Sequence, residues 1–418
     1  MSRRYRLKAS DLAMVAGRAA SVAEGKGLDH ATLVSHAAFL LAQALETSPQ
    51  VMRDTTLAGL LHDVGWIPLA AEFARSIGEQ NAILREHPWR RSAPPVQLPA
   101  LLNGHLDDVQ SLLSELGLPQ TVGDAIVQSH ENFDGSGYPD GLEGEEISIE
   151  GRVLAVADHL VSALDLDKAQ NVPSTVFERL DSVAGSILDP VMVEAAKALW
   201  SDPEASAELL DRSAAAVVLD DALFPLCGDF LDVDGGVARR WARFIGHLSD
   251  NYIPMVSRYS ERVSELSATI AREMRLAPEE VAEIELAANL AEVGRMGLPP
   301  TLNFRFGAFT QDERDVLKAY PIVGERILAP VRQVAPIFNA AISHREKYNG
   351  SGYPEGLVGE EISLGARIIS VATAFVSLTQ STPERPGYEP SSALEILIEQ
   401  GTKLFDGLVV DALEQVVS

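Results

Sequence analysis

A block of fourteen residues that occurs twice constrains this chain more than any other feature. Residues 135–148 read GSGYPDGLEGEEIS and residues 350–363 read GSGYPEGLVGEEIS, with 12 of 14 positions identical at an offset of 215. The same offset runs upstream to His105/Tyr320 and downstream to Asp158/Thr373, so about 54 residues align without a gap. Farther out the register shifts: LAGLLHDVG from Leu57 faces LAANLAEVG from Leu286 at offset 229, and Gly185 faces Gly401 at offset 216. A repeat of this period means one folding unit made twice. The expected layout is a domain over 1–200, an acidic linker over 201–236 and a second domain over 237–418.

Within each copy the apolar residues recur at i, i+3, i+4 and i+7, as in LVSHAAFLLAQAL from Leu33 and VSELSATIAREM from Val263, which is helical spacing. No segment alternates with period two, and Gly-Leu-Pro or Pro-Pro follows apolar runs as helix stops. The chain is expected to be all-α, built as two tandem helical domains. Its 46% hydrophobic content is enough to fill two cores. No stretch approaches the roughly 18–20 apolar residues of a membrane span, so no span is expected. One cysteine, Cys227, excludes an intramolecular disulfide and a cysteine-built zinc site, which fits a reducing cytoplasm. A formal charge of −26 argues against a nucleic-acid polymer as partner, because that surface needs clustered cations. A bound metal ion would still let an acidic chain hold a small anion.

Histidine is unevenly spread. Seven of nine lie in the first 160 residues (His30, His36, His62, His87, His105, His130, His159), and only His247 and His344 follow. Imidazole combined with carboxylate suits Fe, Mn or Zn, so the excess points to a metal centre in the first copy alone. His62-Asp63, at the end of an apolar helix, is the core of it, joined by helical His36, by His105 and His130, and by Asp158 in LAVADHL. His30 and His159 read as packing or solvated histidines. His87 is set aside because His105 lies 24 residues before Ser129, as Tyr320 does before His344, which leaves HPWRRSAPPVQLPA as an insertion.

LLHDVG, HENFDGSGYPDGLEGEEI and RVLAVAD, with HREKYNGSGYPEGLVGEEI and RIISVAT in the second copy, resemble the HD-GYP branch of the HD metal-dependent phosphohydrolases. The resemblance implies the ligand set His36, His62, Asp63 and Asp158, with His105 and His130 adding a second metal, so that one or two divalent ions (Fe, Mn or Zn) bind per chain. It implies His62 and Asp63 as the catalytic pair, Asp63 bridging the ions, and a cyclic dinucleotide, most often cyclic di-GMP, as the phosphodiester hydrolysed. Three positions depart from the family pattern: Ser129 replaces one histidine of a pair, Trp66 replaces a lysine, and Thr32 replaces a glutamate one turn before the first histidine. The alternative is a weak or inactive signalling module that keeps the fold. Gly137, Tyr138, Pro139 and Arg152 are the expected substrate or partner loop, with Gly137 and Pro139 shaping the turn.

Opposite His36, His62, Asp63, His105 and Asp158 the second copy has Tyr259, Ala291, Glu292, Tyr320 and Thr373, so it is expected to bind no metal. It would serve as a packing partner or build a homodimer; the alternative is nucleotide or partner binding through Arg345, Lys347 or Arg367.

Overall fold

The structure is a computed structural model, and it describes residues 7–65, 67, 109–110, 112–166, 173–228, 231, 235–252, 258–303, 309–334, 336–382 and 385–417. Among them the regular elements are all helical, joined only by isolated bridge pairs in the loops. None of these helices is long and apolar enough to cross a membrane. Two compact units emerge, one over residues 8–69 and 89–229, the other mainly over 230–418.

In the first unit α1 (Ala9–Ala23), α2 (His30–Ala44) and α3 (Pro49–Leu61) pack together, with α4 (Gln120–Gln128) and α5 (Ile149–Leu166) against them. Ser48 caps α3, its hydroxyl accepting from the Val51 N–H at 3.3 Å, and Pro49 fills the first helical position. The Ser35 hydroxyl donates to the Thr56 carbonyl at 2.6 Å, and a Cβ on Gly17 would meet the Leu60 carbonyl oxygen at 2.8 Å. A Cβ on Gly59 would lie 2.7 Å from the Ser35 Cα, so α2 and α3 touch backbone to backbone there.

Of residues 201–236, expected to be a linker, the described part over 201–228 is helical and belongs to the first unit. It forms α8 (Pro203–Leu209) and α9 (Arg212–Cys227), preceded by α6 (Pro173–Val183) and α7 (Pro190–Ser201), and α9 packs on α1, α2 and α3 of the first unit. The reason is visible in the side chains: Ala215, Leu219, Ala222 and Leu223 form a buried stripe at helical spacing, and Asp220 beside them pairs with Lys8 and Ser10.

The second unit places α10 (Gly236–Tyr252), α11 (Tyr259–Glu273) and α12 (Pro278–Asn289) in the same order. Its backbone contacts recur at offset 229: Ser264 donates to the Glu285 carbonyl at 2.8 Å, and a Cβ on Gly246 would meet the Asn289 carbonyl oxygen at 3.0 Å.

Candidate metal centre

The centre gathers at the N-terminus of α2, the turn after α3 and the middle of α5. His30, His62 and Asp158 each offer a ligand atom, and these atoms lie within 4.8 Å of one another. His30 Nε2 is 3.1 Å from Asp158 Oδ1 and 4.0 Å from Asp63 Oδ2. His62 Nε2 is 3.0 Å from Asp63 Oδ1 and 3.6 Å from Asp158 Oδ1. His62 and Asp63 follow α3 directly in a single 3-10 turn, so they reach the same point from adjacent positions.

His62 supplies the test of whether a metal fits. Its Nδ1 lies 2.8 Å from the Gly59 carbonyl, which can only accept, so Nδ1 carries the proton. Nε2 is buried without a hydrogen-bond donor and turns its lone pair toward two carboxylates. Such a convergence of imidazole nitrogen and carboxylate oxygen needs a cation between the groups, and it is a donor set for a divalent ion. With no ion, a proton takes that role: burial opposes charge on His62, but Asp63 and Asp158 outweigh it and push its pKa up to about 10. Buried Asp63 and part-exposed Asp158 are held well below the usual carboxylate range against their desolvation, Asp63 chiefly by His62 and Lys26, Asp158 chiefly by Lys26 and His30.

Lys26 belongs to the same cluster and was not foreseen. Its Nζ lies 2.8 Å from Glu24 Oε2, 3.2 Å from Asp63 Oδ1 and 3.7 Å from Asp158 Oδ1. Burial works against its charge, yet Asp158, Asp63 and Glu24 keep its pKa well above the ordinary lysine value. Burial, with Asp63 close by, pushes Glu24 up to about 8.

His36 is not brought to the centre. It lies two turns along α2 from His30, nearly fully buried, where Leu209, Glu208 and Asp211 face it and burial holds it below the usual imidazole range. The place beside His62 and Asp158 expected for His36 is occupied by His30. One signal could have found it: the offset of 229 that pairs Leu57 with Leu286 also pairs His30, not His36, with Tyr259, and both residues open their helices.

His130 sits near enough for His62, Asp158 and Asp63 to act on it. Its Nδ1 meets the Ile126 carbonyl at 3.0 Å, and burial keeps the ring neutral and able to ligate. Its ring lies 5.4 Å from that of Tyr138, centroid to centroid. Ser129 turns its hydroxyl back to the Ile126 carbonyl at 2.8 Å. His105, His87 and Trp66 lie outside the described residues. His159 bonds the Ala155 carbonyl, in keeping with a structural histidine.

The loop carrying Gly137, Tyr138 and Pro139 is pinned by Glu131, a buried carboxylate that accepts from the N–H groups of Asp140 at 2.7 Å and Gly141 at 3.1 Å. Gly137 is required by packing, because a Cβ there would lie 2.1 Å from the Asn132 nitrogen. Arg152 donates to Asp189 at 2.8 Å and to the Ile147 carbonyl at 3.1 Å. In the second unit Glu346 and the Arg367–Asp406 pair repeat both arrangements.

At the corresponding place the second unit holds Glu292, Tyr320, His344 and Arg345. Arg345 donates to Glu292 at 2.8 Å and to the Tyr320 hydroxyl at 2.7 Å, and that hydroxyl is 2.8 Å from His344 Nε2. Tyr259 reaches Ser377 at 2.8 Å. Lys347 lies over the Phe405 ring. Arg345, Lys347 and Arg367, expected as candidates for ligand binding, are thus engaged inside the unit.

The sequence matches the family model described as HD domain over residues 97–192 and 245–409. It is 38% identical over 161 residues to the cyclic di-GMP phosphodiesterase response regulator RpfG of Xanthomonas campestris pv. campestris, covering 38% of this chain and 42% of that protein. It is 26% identical over 285 residues to the 3'3'-cGAMP-specific phosphodiesterase 3 of Vibrio cholerae, covering 68% of this chain and 60% of that one. The matched region therefore spans only about two fifths to three fifths of these relatives. The crystal structure of a cyclic GMP-AMP-specific phosphodiesterase of Vibrio cholerae superposes with a TM-score of 0.69 at 20% identity, covering 98% of both chains, which establishes a shared fold.

Proposed function

This chain belongs to the HD domain family, and on that premise we propose that its first unit is a divalent-metal phosphodiesterase of the HD-GYP type acting on a cyclic dinucleotide. The observation that carries the reading is the meeting of His30, His62, Asp63 and Asp158, with the His62 lone pair aimed at carboxylate oxygens. These four residues would hold an ion of the Fe, Mn or Zn class, which supplies Lewis acidity to activate water and to offset phosphate charge.

The chain's own residues do the rest. The Gly59 carbonyl keeps His62 in the tautomer that presents Nε2, and Lys26 holds the Asp63 and Asp158 carboxylates in place and ionised. Neutral His130 adds a further nitrogen, and Tyr138 beside it sets the loop at the rim, where a base or a partner surface would meet it. Curated relatives named for cyclic di-GMP and for 3'3'-cGAMP support the substrate class.

The test is hydrolysis of cyclic di-GMP and of 3'3'-cGAMP by metal-loaded full chain, with His62→Ala as control. Turnover of either that disappears in the variant supports the enzyme. Bound ion without turnover of either favours a binding module, a reading to which Ser129 lends weight by offering its hydroxyl to Ile126 rather than to an ion.

A further inference from the structure

We infer that Lys26 is a resident cation that takes the place of a second divalent ion, so that the centre in the first unit holds one. The inference rests on the metal-centre reading above and specifies its stoichiometry.

Position is the first support. Lys26 is not a surface lysine that happens to lean inward: its side chain is only 19% exposed, and the backbone delivers it. Helix α1 ends with Gly25 at φ 76°, the Gly25 N–H donating to the Val22 carbonyl at 3.0 Å and the Lys26 N–H to the Ser21 carbonyl at 2.8 Å. That pair of bonds is a Schellman turn, which fixes the direction in which the chain leaves the helix. The turn sends Nζ to within 3.2 and 3.4 Å of the two oxygens of Asp63. A carboxylate placed to bridge two ions thereby shares itself between one ion site and an ammonium.

Charge is the second support. Asp63 and Asp158 face one lysine, a formal charge of −1 that a single divalent ion already more than cancels. A second ion would add two more positive charges beside the Lys26 ammonium, which a part-buried site with few anionic groups disfavours. Ser129, bonded to its own helix, adds no ligand that would offset this.

The experiment is metal stoichiometry, not activity. Full chain stripped with a chelator is titrated with Mn²⁺ alone, bound metal is counted after equilibrium dialysis, and His62→Ala supplies the background. The expected result is one Mn²⁺ per chain for the unmodified protein and for Lys26→Arg, and two for Lys26→Glu, which exchanges the cation for another carboxylate. Two ions in the unmodified protein, or one in folded Lys26→Glu, overturns the inference while the metal-centre reading stands. No specific Mn²⁺ in the unmodified protein overturns that reading and the inference with it. Should Lys26→Glu fail to fold, as circular dichroism would show, the count on the unmodified protein decides alone.

Discussion

Replacing His30 and His36 by alanine, one at a time, separates the two candidates for the first histidine ligand. They share one helix and both are buried, so burial alone does not distinguish them. Their surroundings do: His30 Nε2 is 3.1 Å from Asp158 Oδ1, whereas His36 faces Leu209, Glu208 and Asp211. Residues that merely orient a ligand are worth about 10–100-fold in metal affinity, so losing a direct ligand in His30→Ala should weaken binding by at least about 100-fold. That is roughly 3 kcal/mol at about 1.4 kcal/mol per decade. His36→Ala removes a packed ring and leaves a cavity, which should cost roughly 1–3 kcal/mol of folding stability and leave metal affinity unchanged. The assay is competition for Mn²⁺ against a fluorescent chelator, with urea unfolding of the same samples. Loss of affinity in His36→Ala together with its retention in His30→Ala would refute the ligand set.

Two further outcomes concern groups away from the ion. Burial, opposed by hydrogen bonds from Ser260, pushes Asp250 from 3.8 up to about 7. A folded-state value above the unfolded one means that this group's contribution is complete below about pH 4 and is lost as the pH rises through 7. The change is roughly 4 kcal/mol, and in Asp250→Asn, which keeps an acceptor for the Ser260 N–H, the unfolding free energy measured between pH 4 and 8 should lose that slope. Glu131→Ala removes the acceptor that pins the 134–143 loop through Asp140 and Gly141, and should cost roughly 2–4 kcal/mol in urea unfolding. An unchanged midpoint would show that the loop holds itself.

The helical class was legible because Leu, Val and Ala recur at helical spacing, and the spacing depends on nothing beyond each helix itself. His62, Asp63 and Asp158 were legible because their chemistry is concentrated in short motifs. His30 was not: along an all-buried helix such as α2, a ligand and a packing histidine share the same periodicity. Only the register of the repeat, read back from Leu57/Leu286, separates them, and the pairing of Tyr259 with His36 had broken that register. Lys26 escaped for another reason. It lies in a turn, and its direction is set by Gly25 and two carbonyls, a three-dimensional fact that a lysine between two glycines does not announce. The acidic stretch after Ser201 misled because net composition hid a buried stripe of Ala and Leu.

The two units answer one physical problem in different ways. An HD-type helix arrangement brings an acidic side chain from the turn after its third helix into a buried place, and a buried carboxylate must be given a cation or lose its charge. In the second unit Glu292 fills that place, and Arg345, at the position aligned with His130, supplies the cation from the chain itself. Despite burial, Arg345 with His344 holds Glu292 far below the usual carboxylate range. Tyr320 ties Arg345 to His344, while Glu292 Oε1 takes the Arg345 hydrogen bond. The first unit leaves the His62 lone pair facing Asp63 and Asp158 and supplies Lys26 as the cation beside those two carboxylates. What distinguishes the units is therefore the cation set against the buried carboxylate: the second places a guanidinium on Glu292, and the first leaves an imidazole nitrogen and two carboxylates around one lysine.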